Sequence, residues 1–365
     1  MKIFTKFAAV AIAALFAVNA NGATVDYNGI TWTIGTGANA GKLTAKSVKD
    51  ATLLVGDYAL ESPVTIDGTE YTIVSIGTVL KGNTAITSLT LPDDCITVGR
   101  AGLSKMDALK TVRLSPNMVT IPGNIFQDDI ALEEIEIPGS AKALKSSEFQ
   151  NCPALKKLVI AEGPTELEFS KSAWGTDNKA LALEEIIINR AVGANYTNAT
   201  RPLISCTTLK KATFGGSCTA IPASFFAGCS ALEEADIACI TNLGTNAFEG
   251  TALKTIEIPA GISTISASAF ASCAQLTSVT LNEGTSTIDA MAFKNSGLKS
   301  IALPASVSAI RAQAFQGSQL AGALDLASVK SIGDDAFAGT KLTSVIGQFK
   351  HCVIIQRLKL PFIRT

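Results

Sequence analysis

Histidine is almost missing from this sequence: there is one, His351, near the end of the chain. That excludes Ser-His-Asp and Cys-His nucleophile systems and multi-histidine metal centres from the main body. Aromatic residues are few, 6% with 2 Trp and 4 Tyr, which leaves little material for stacking platforms. Charge is scarce too: 17% of residues, with Lys+Arg 30 against Asp+Glu 31. A nucleic-acid surface needs a basic excess, and none exists here. No Walker loop, G-x-S-x-G, H-E-x-x-H or C-x-x-C is present. Carboxylates stand side by side at Glu133-Glu134, Glu184-Glu185 and Glu233-Glu234. Neighbours on an extended chain point apart, so these pairs lack the facing geometry of a glycosidase. The expectation is a protein without catalytic residues, cofactor or metal.

What the chain does have is apolar mass. Hydrophobic residues reach 47% of 365, with mean hydropathy +0.32, so disorder is excluded and a large core is implied. Part of this lies at the start, where Lys2 and Lys6 precede an unbroken apolar run, Phe7 to Val18, followed by the small-residue stretch Val18-Asn19-Ala20. The run is shorter than the ~20 residues of a membrane span. It has the anatomy of a cleaved secretory signal over residues 1–20. An exported chain, extracellular or at the cell surface, is the expectation, with no transmembrane segment after cleavage.

The remainder is periodic. L-x-x-L-x-L, with Ile, Val or Phe substituting, starts at Ile86, Leu109, Leu132, Leu155, Leu183, Leu209, Leu232, Leu253, Leu276, Leu298, Leu320 and Leu342. The spacing is 21 to 28 residues. Five or six residues before most of these positions stands a large apolar side chain, such as Phe126, Phe149, Phe226, Phe270 or Phe337, and Trp174 takes that place in the longest unit. A segment such as Leu253-Lys-Thr-Ile256-Glu-Ile258-Pro259 alternates as a half-buried strand and is stopped by proline. A unit this short cannot bury both of its apolar edges alone, so units stack. The predicted fold is a mostly β solenoid of the α/β repeat type, a right-handed parallel array of about 12 rungs. At ~4.8 Å per rung it spans about 55–60 Å.

The segments "AFASCAQLTSVTL", "AFQGS" and "IPASFFAGCSALEEADI", with the lead-in "VTIDGTEYTIVSIG" at 64–77, resemble the BspA-type leucine-rich repeats of bacterial surface antigens. The likeness covers about 64–346. It implies a secreted or surface-displayed protein that mediates adhesion or interaction with host or neighbouring-cell proteins, and it names no ligand. A glycan-binding surface component and a purely structural surface-layer protein remain the alternatives.

The ends depart from the array. Residues 21–75 carry two hairpin signals, Asn28-Gly29 and Asp67-Gly68, and read as a small N-terminal β cap. The array itself is assigned to 76–346. The tail 347–365 has four basic residues, no acidic one and no repeat: a makeshift cap, a truncated gene end or a sorting signal.

Eight cysteines in an exported protein suggest disulfides, but Cys152, Cys206, Cys229 and Cys273 all fall three residues after the large apolar plug. A repeated column position marks a small buried filler. Cys206 and Cys229, on adjacent rungs, are the one pair whose bridging stays open.

The two residues after each leading leucine alternate in sign from rung to rung: Lys110-Thr111, Glu133-Glu134, Lys156-Lys157, Glu184-Glu185, Lys210-Lys211, Glu233-Glu234, Lys254-Thr255. In a parallel stack this is a self-neutralising ladder rather than a charged ligand surface. The binding candidates are the outward strand positions Glu134, Glu136, Val159, Ile187, Asp236 and Glu257, where Val159 and Ile187 form an apolar interruption. Tyr196 joins them from the irregular loop of a long repeat, because loops on a rigid scaffold often carry recognition. Trp174 is assigned to the core.

Overall fold

The computed structural model describes residues 23–174, 182–193, 201–203 and 206–347. Residues 1–20, Tyr196 and the tail after Gly347, with His351, lie outside these. The chain coils into a parallel β solenoid with almost no helix. One wall is a sheet of rung strands in spatial order Gly56–Ala59, Ile86–Thr90, Thr111–Arg113, Glu134–Ile137, Lys157–Ile160, Glu185–Ile188, Lys211–Phe214 and Glu234–Asp236. Beyond it, Thr255–Ile258 pairs with Ser278–Leu281, and Ala321–Asp325 with Lys341–Ile346. Of the twelve leading positions, eleven head a strand; the rung at Leu298 turns without one.

Two-residue alternation decides which side chains enter the core. Ile135 and Ile137 are buried while Glu134 and Glu136 are exposed, and Leu158 and Ile160 repeat this one rung on. Burying each such side chain stabilises the array by roughly 1.5–3 kcal/mol.

The far wall is built around the plug column. The rings of Phe226, Phe248, Phe270, Phe293, Phe315 and Phe337 stack nearly parallel, with centroids 5.3 to 5.5 Å apart. Trp174 continues the column at 5.4 Å from Phe149, and its indole N–H donates to the Pro202 carbonyl at 2.7 Å. Around most of the plugs the backbone alternates hand. Asn124 and Asp128 flank Phe126, and Ser268 and Ser272 flank Phe270, all with φ between 54° and 64°. Alternating left- and right-handed residues aim every second N–H group at the next rung, while the N–H groups between them, those of Ile125 and Gln127, turn back to the carbonyls of Pro122 and Asn124. Asn124, Phe126 and Asp128 accordingly donate to the carbonyls of Ser146, Glu148 and Gln150 on the next rung at 2.9 to 3.0 Å. This second ladder explains the Asn, Asp, Ser and Gly residues at these positions, which tolerate positive φ or bond locally.

Both hairpin turns form. Thr24–Tyr27 pairs with Ile30–Ile34 across Asn28-Gly29, and Val64–Ile66 with Thr69–Gly77 across Asp67-Gly68. All four turn residues have positive φ, the geometry that matches strand twist. The N-terminal segment does more than cover the first rung. Its strand Gly56–Ala59 joins the rung sheet ahead of Ile86–Thr90, and Thr69–Gly77 pairs with Thr97–Val98.

Every described cysteine is free: Cys95, Cys152, Cys206, Cys218, Cys229, Cys239 and Cys273. Cys206 and Cys229 are not bridged; their thiols face the carbonyls of Leu183 and Leu203. Burial pushes the Cys95 and Cys218 thiols up to about 11 and raises those of Cys206 and Cys273, so these are packed, unreactive groups.

Candidate functional site

The outward face of the rung sheet carries three side-by-side columns of side chains, and register fixes their members. In the first, at the bend before each strand, Lys110 meets Glu133 at 3.7 Å, Glu184 lies between Lys156 at 3.6 Å and Lys210 at 2.7 Å, and Lys254 meets Glu233 at 2.6 Å. The two lysines hold the Glu184 carboxyl below its usual range, Lys210 most strongly. In the second, Glu134, Lys157, Glu185, Lys211 and Glu234 are register partners in turn. Lys157 reaches Glu134 at 3.0 Å, and Lys211 reaches Glu185 at 3.9 Å. The first column has four lysines against three glutamates, the second two against three, so together they cancel. The first-column side chains are exposed, so each of their pairs adds little to stability.

The third column is different. Glu136, Val159, Ile187, Thr213 and Asp236 succeed one another on adjacent strands. Glu136 and Asp236 are exposed; Val159, Ile187 and Thr213 are half-buried. Arg113, on the rung before Glu136, is engaged elsewhere: it binds the Asp93 carboxylate at 2.6 Å and the Leu91 carbonyl at 2.9 Å. Two depressions open on this face. One, of about 850 Å³, is lined by Ser88, Thr90, Thr111, Arg113, Glu134, Glu136 and Glu162 among others. The other, of about 220 Å³, is lined by Lys211, Glu233, Glu234, Ala235, Asp236 and Thr255. Neither contains an aromatic side chain.

The fold thus brings Glu136, Val159, Ile187 and Asp236 into one line. Glu134 belongs instead to the second column, where Lys157 pairs with it. Glu257 lies on the next strand, past the end of the continuous sheet, and its carboxylate accepts from the Asn282 amide at 3.0 Å. Asp236 accepts from the Ala238 N–H at 3.1 Å. Thr213 is the member that sequence reasoning missed; counting two residues past each paired-charge position would have found it. Among the described residues no group of three His, Cys, Asp or Glu side chains is placed to hold a metal ion, and no helix is long and apolar enough to cross a membrane.

Three solved structures illustrate what the chain is similar to. A leucine-rich repeat protein from Bacteroides ovatus is 18% identical, over 88% of this chain and 99% of that one, with a TM-score of 0.32. A leucine rich cell surface protein from Faecalibacterium prausnitzii is 18% identical over 92% and 97%, with a TM-score of 0.36. The pneumococcal vaccine antigen PcpA is 19% identical over 90% and 82%, with a TM-score of 0.33. No curated protein matches the chain. The profile of the BspA type leucine rich repeat region matches in 6 copies, over residues 74–173, 182–267, 201–321 and 241–358. The last of these runs beyond the described rungs into the tail. With matches covering well over half of its length, the chain belongs to the BspA type leucine rich repeat family.

Proposed function

We propose that this is an exported bacterial surface protein that recognises other proteins through its strand face, centred on Val159 and Ile187. One observation carries the reading: two branched apolar side chains, register partners on adjacent strands, stand half-exposed on a face that is otherwise polar. A rigid array has met its ordering cost before a partner arrives, which favours protein recognition. The signal-like start over residues 1–20 supports export, and the resemblance to surface antigens supports display. Glycan platforms use exposed aromatic rings, and the two depressions offer none.

The test is capture of extracellular proteins by the immobilised full chain, run beside a glycan array. The expected result is a protein partner whose capture falls when Val159 and Ile187 are both changed to lysine, with the melting temperature little altered. Selective glycan retention, or protein capture untouched by that double change, overturns the reading.

A further inference from the structure

The third column keeps the carboxylates of a ladder and omits its cations. In the adjacent column the signs run minus, plus, minus, plus, minus through Glu134, Lys157, Glu185, Lys211 and Glu234. On the same five strands the third column has Glu136 and Asp236 at the first and last minus positions. Valine and threonine stand where the two lysines are due, and isoleucine replaces the middle glutamate. The lysines next door do not make up the deficit, because Lys157 is held by Glu134 at 3.0 Å and Lys211 lies 3.9 Å from Glu185. Among the described residues neither Glu136 nor Asp236 has a cation within ion-pair distance. Each lines one of the two depressions, and the apolar pair lies between them.

Resting on the protein-recognition reading, we infer that the partner is a protein segment with basic residues at two places about 19 Å apart, four rung spacings, on either side of an apolar centre. The apolar centre covers Val159 and Ile187. The basic groups supply the counter-charges that the ladder leaves out at Glu136 and Asp236. A small cation does not meet this description, because two carboxylates that far apart cannot share it. An acidic or uniformly apolar partner leaves both carboxylates desolvated and unpaired, which is costly.

The experiment uses the full chain and three synthetic peptides, read by fluorescence anisotropy. The first has two Lys-Arg pairs separated by about six residues, near 20 Å when extended, with Leu and Val at the centre. The second replaces its basic residues by glutamate. The third gathers all four basic residues at one end. The first peptide is expected to bind at least about tenfold tighter than the others and to weaken as salt rises from about 50 to 300 mM. Glu136→Gln with Asp236→Asn, which keep shape and remove charge, are expected to reduce that binding about tenfold.

A second variant separates recognition from stability. Val159→Lys with Thr213→Lys supplies the two missing cations beside Glu136 and Asp236, so it is expected to leave the thermal melt unchanged or raised while abolishing peptide binding. Equal binding of all three peptides, or no effect of the Glu136 and Asp236 changes, overturns the inference. If capture of a natural partner still fails on Val159→Lys with Ile187→Lys, the protein-recognition reading survives that result and only the cationic partner class is lost.

Discussion

Arg190 and Gly139 meet across two rungs: the guanidinium of Arg190 donates to the Gly139 carbonyl, 51 residues earlier in the chain. The same guanidinium donates to the Pro138 carbonyl at 3.2 Å and approaches that of Thr165 at 3.5 Å. Arg190 is fully buried, and among the described residues no carboxylate pairs with it. It ties the loops that follow three successive strands beneath the strand face. Gly139 is packed so closely against the Glu162 carbonyl that no β-carbon fits there.

Arg190→Ala is therefore expected to lower stability by about 2–4 kcal/mol, because buried carbonyls lose their donors and a cavity opens. Arg190→Lys restores charge without the planar fork and recovers part of the loss at most. Denaturant melts of both variants check this. Equal melts for the wild type and Arg190→Ala would show that water satisfies these carbonyls unaided.

Asp129 sets a pH dependence. It occupies the column position that Cys152, Cys229 and Cys273 fill on other rungs, and it is fully buried. Its Oδ1 accepts from the Met106 N–H at 2.8 Å, while Oδ2 has no partner. Burial raises its pKa to about 8, opposed by the Met106 N–H and reinforced by Asp107 and Asp128. A raised native pKa means that folding favours the protonated form. The stabilisation is complete below about pH 4, falls as pH rises towards about 8, and is then gone. Its size is on the order of a few kcal/mol. Asp129→Asn is expected to flatten stability between pH 4 and 8, measured by urea melts across that range.

The features that repeat were legible from residues alone. Leading leucines, plug phenylalanines and alternating lysines and glutamates announce themselves because each recurs at the same place in successive rungs. Features present once were not. Gly56–Ala59 lacks the L-x-x-L-x-L pattern, so its joining the rung sheet gave no signal. Arg190 carries no mark of burial in the sequence, since arginine is seldom buried without a carboxylate. Asp129 hid inside a column defined by cysteines. The left-handed Asn, Asp and Ser residues around the plugs have no such sequence signal, since the ladder they build is a backbone property. In the candidate site, alternation placed Glu136, Val159, Ile187 and Asp236 outward. It could not separate Glu134 from them, because pairing with Lys157 depends on rung register.

The plug column offers the plainest stability test. Phe270 is fully buried between Phe248 and Phe293, 5.5 Å from each. Phe270→Ala is expected to cost about 3–5 kcal/mol, from lost transfer energy and the cavity left between two fixed rungs. Phe270→Leu keeps most of the volume and loses the ring stacking, worth about 0.5–1.5 kcal/mol. Guanidinium melts that rank the two variants in the opposite order would contradict stacking as the organising contact.

The charge ladder is tested at its most connected member. Glu184 receives Lys210 at 2.7 Å and lies 3.6 Å from Lys156, and Lys210 precedes Glu233 by one rung. Lys210→Glu converts one favourable contact into a repulsion and places three carboxylates in a row about 4.8 Å apart. These side chains are exposed, so the effect is small, a melting-temperature drop of about 1–2 °C at low salt. Screening makes it smaller still near 1 M salt, where the Debye length is about 3 Å, shorter than the rung spacing. The depressed pKa of Glu184 adds a second signature. Its contribution is present above the ordinary carboxylate range and disappears as pH falls through the lowered native value, so the difference between wild type and Lys210→Glu should narrow on acidification. Melts at two salt concentrations and two pH values read both effects; a deficit that ignores salt and acid alike would detach the sign alternation from contact between rungs.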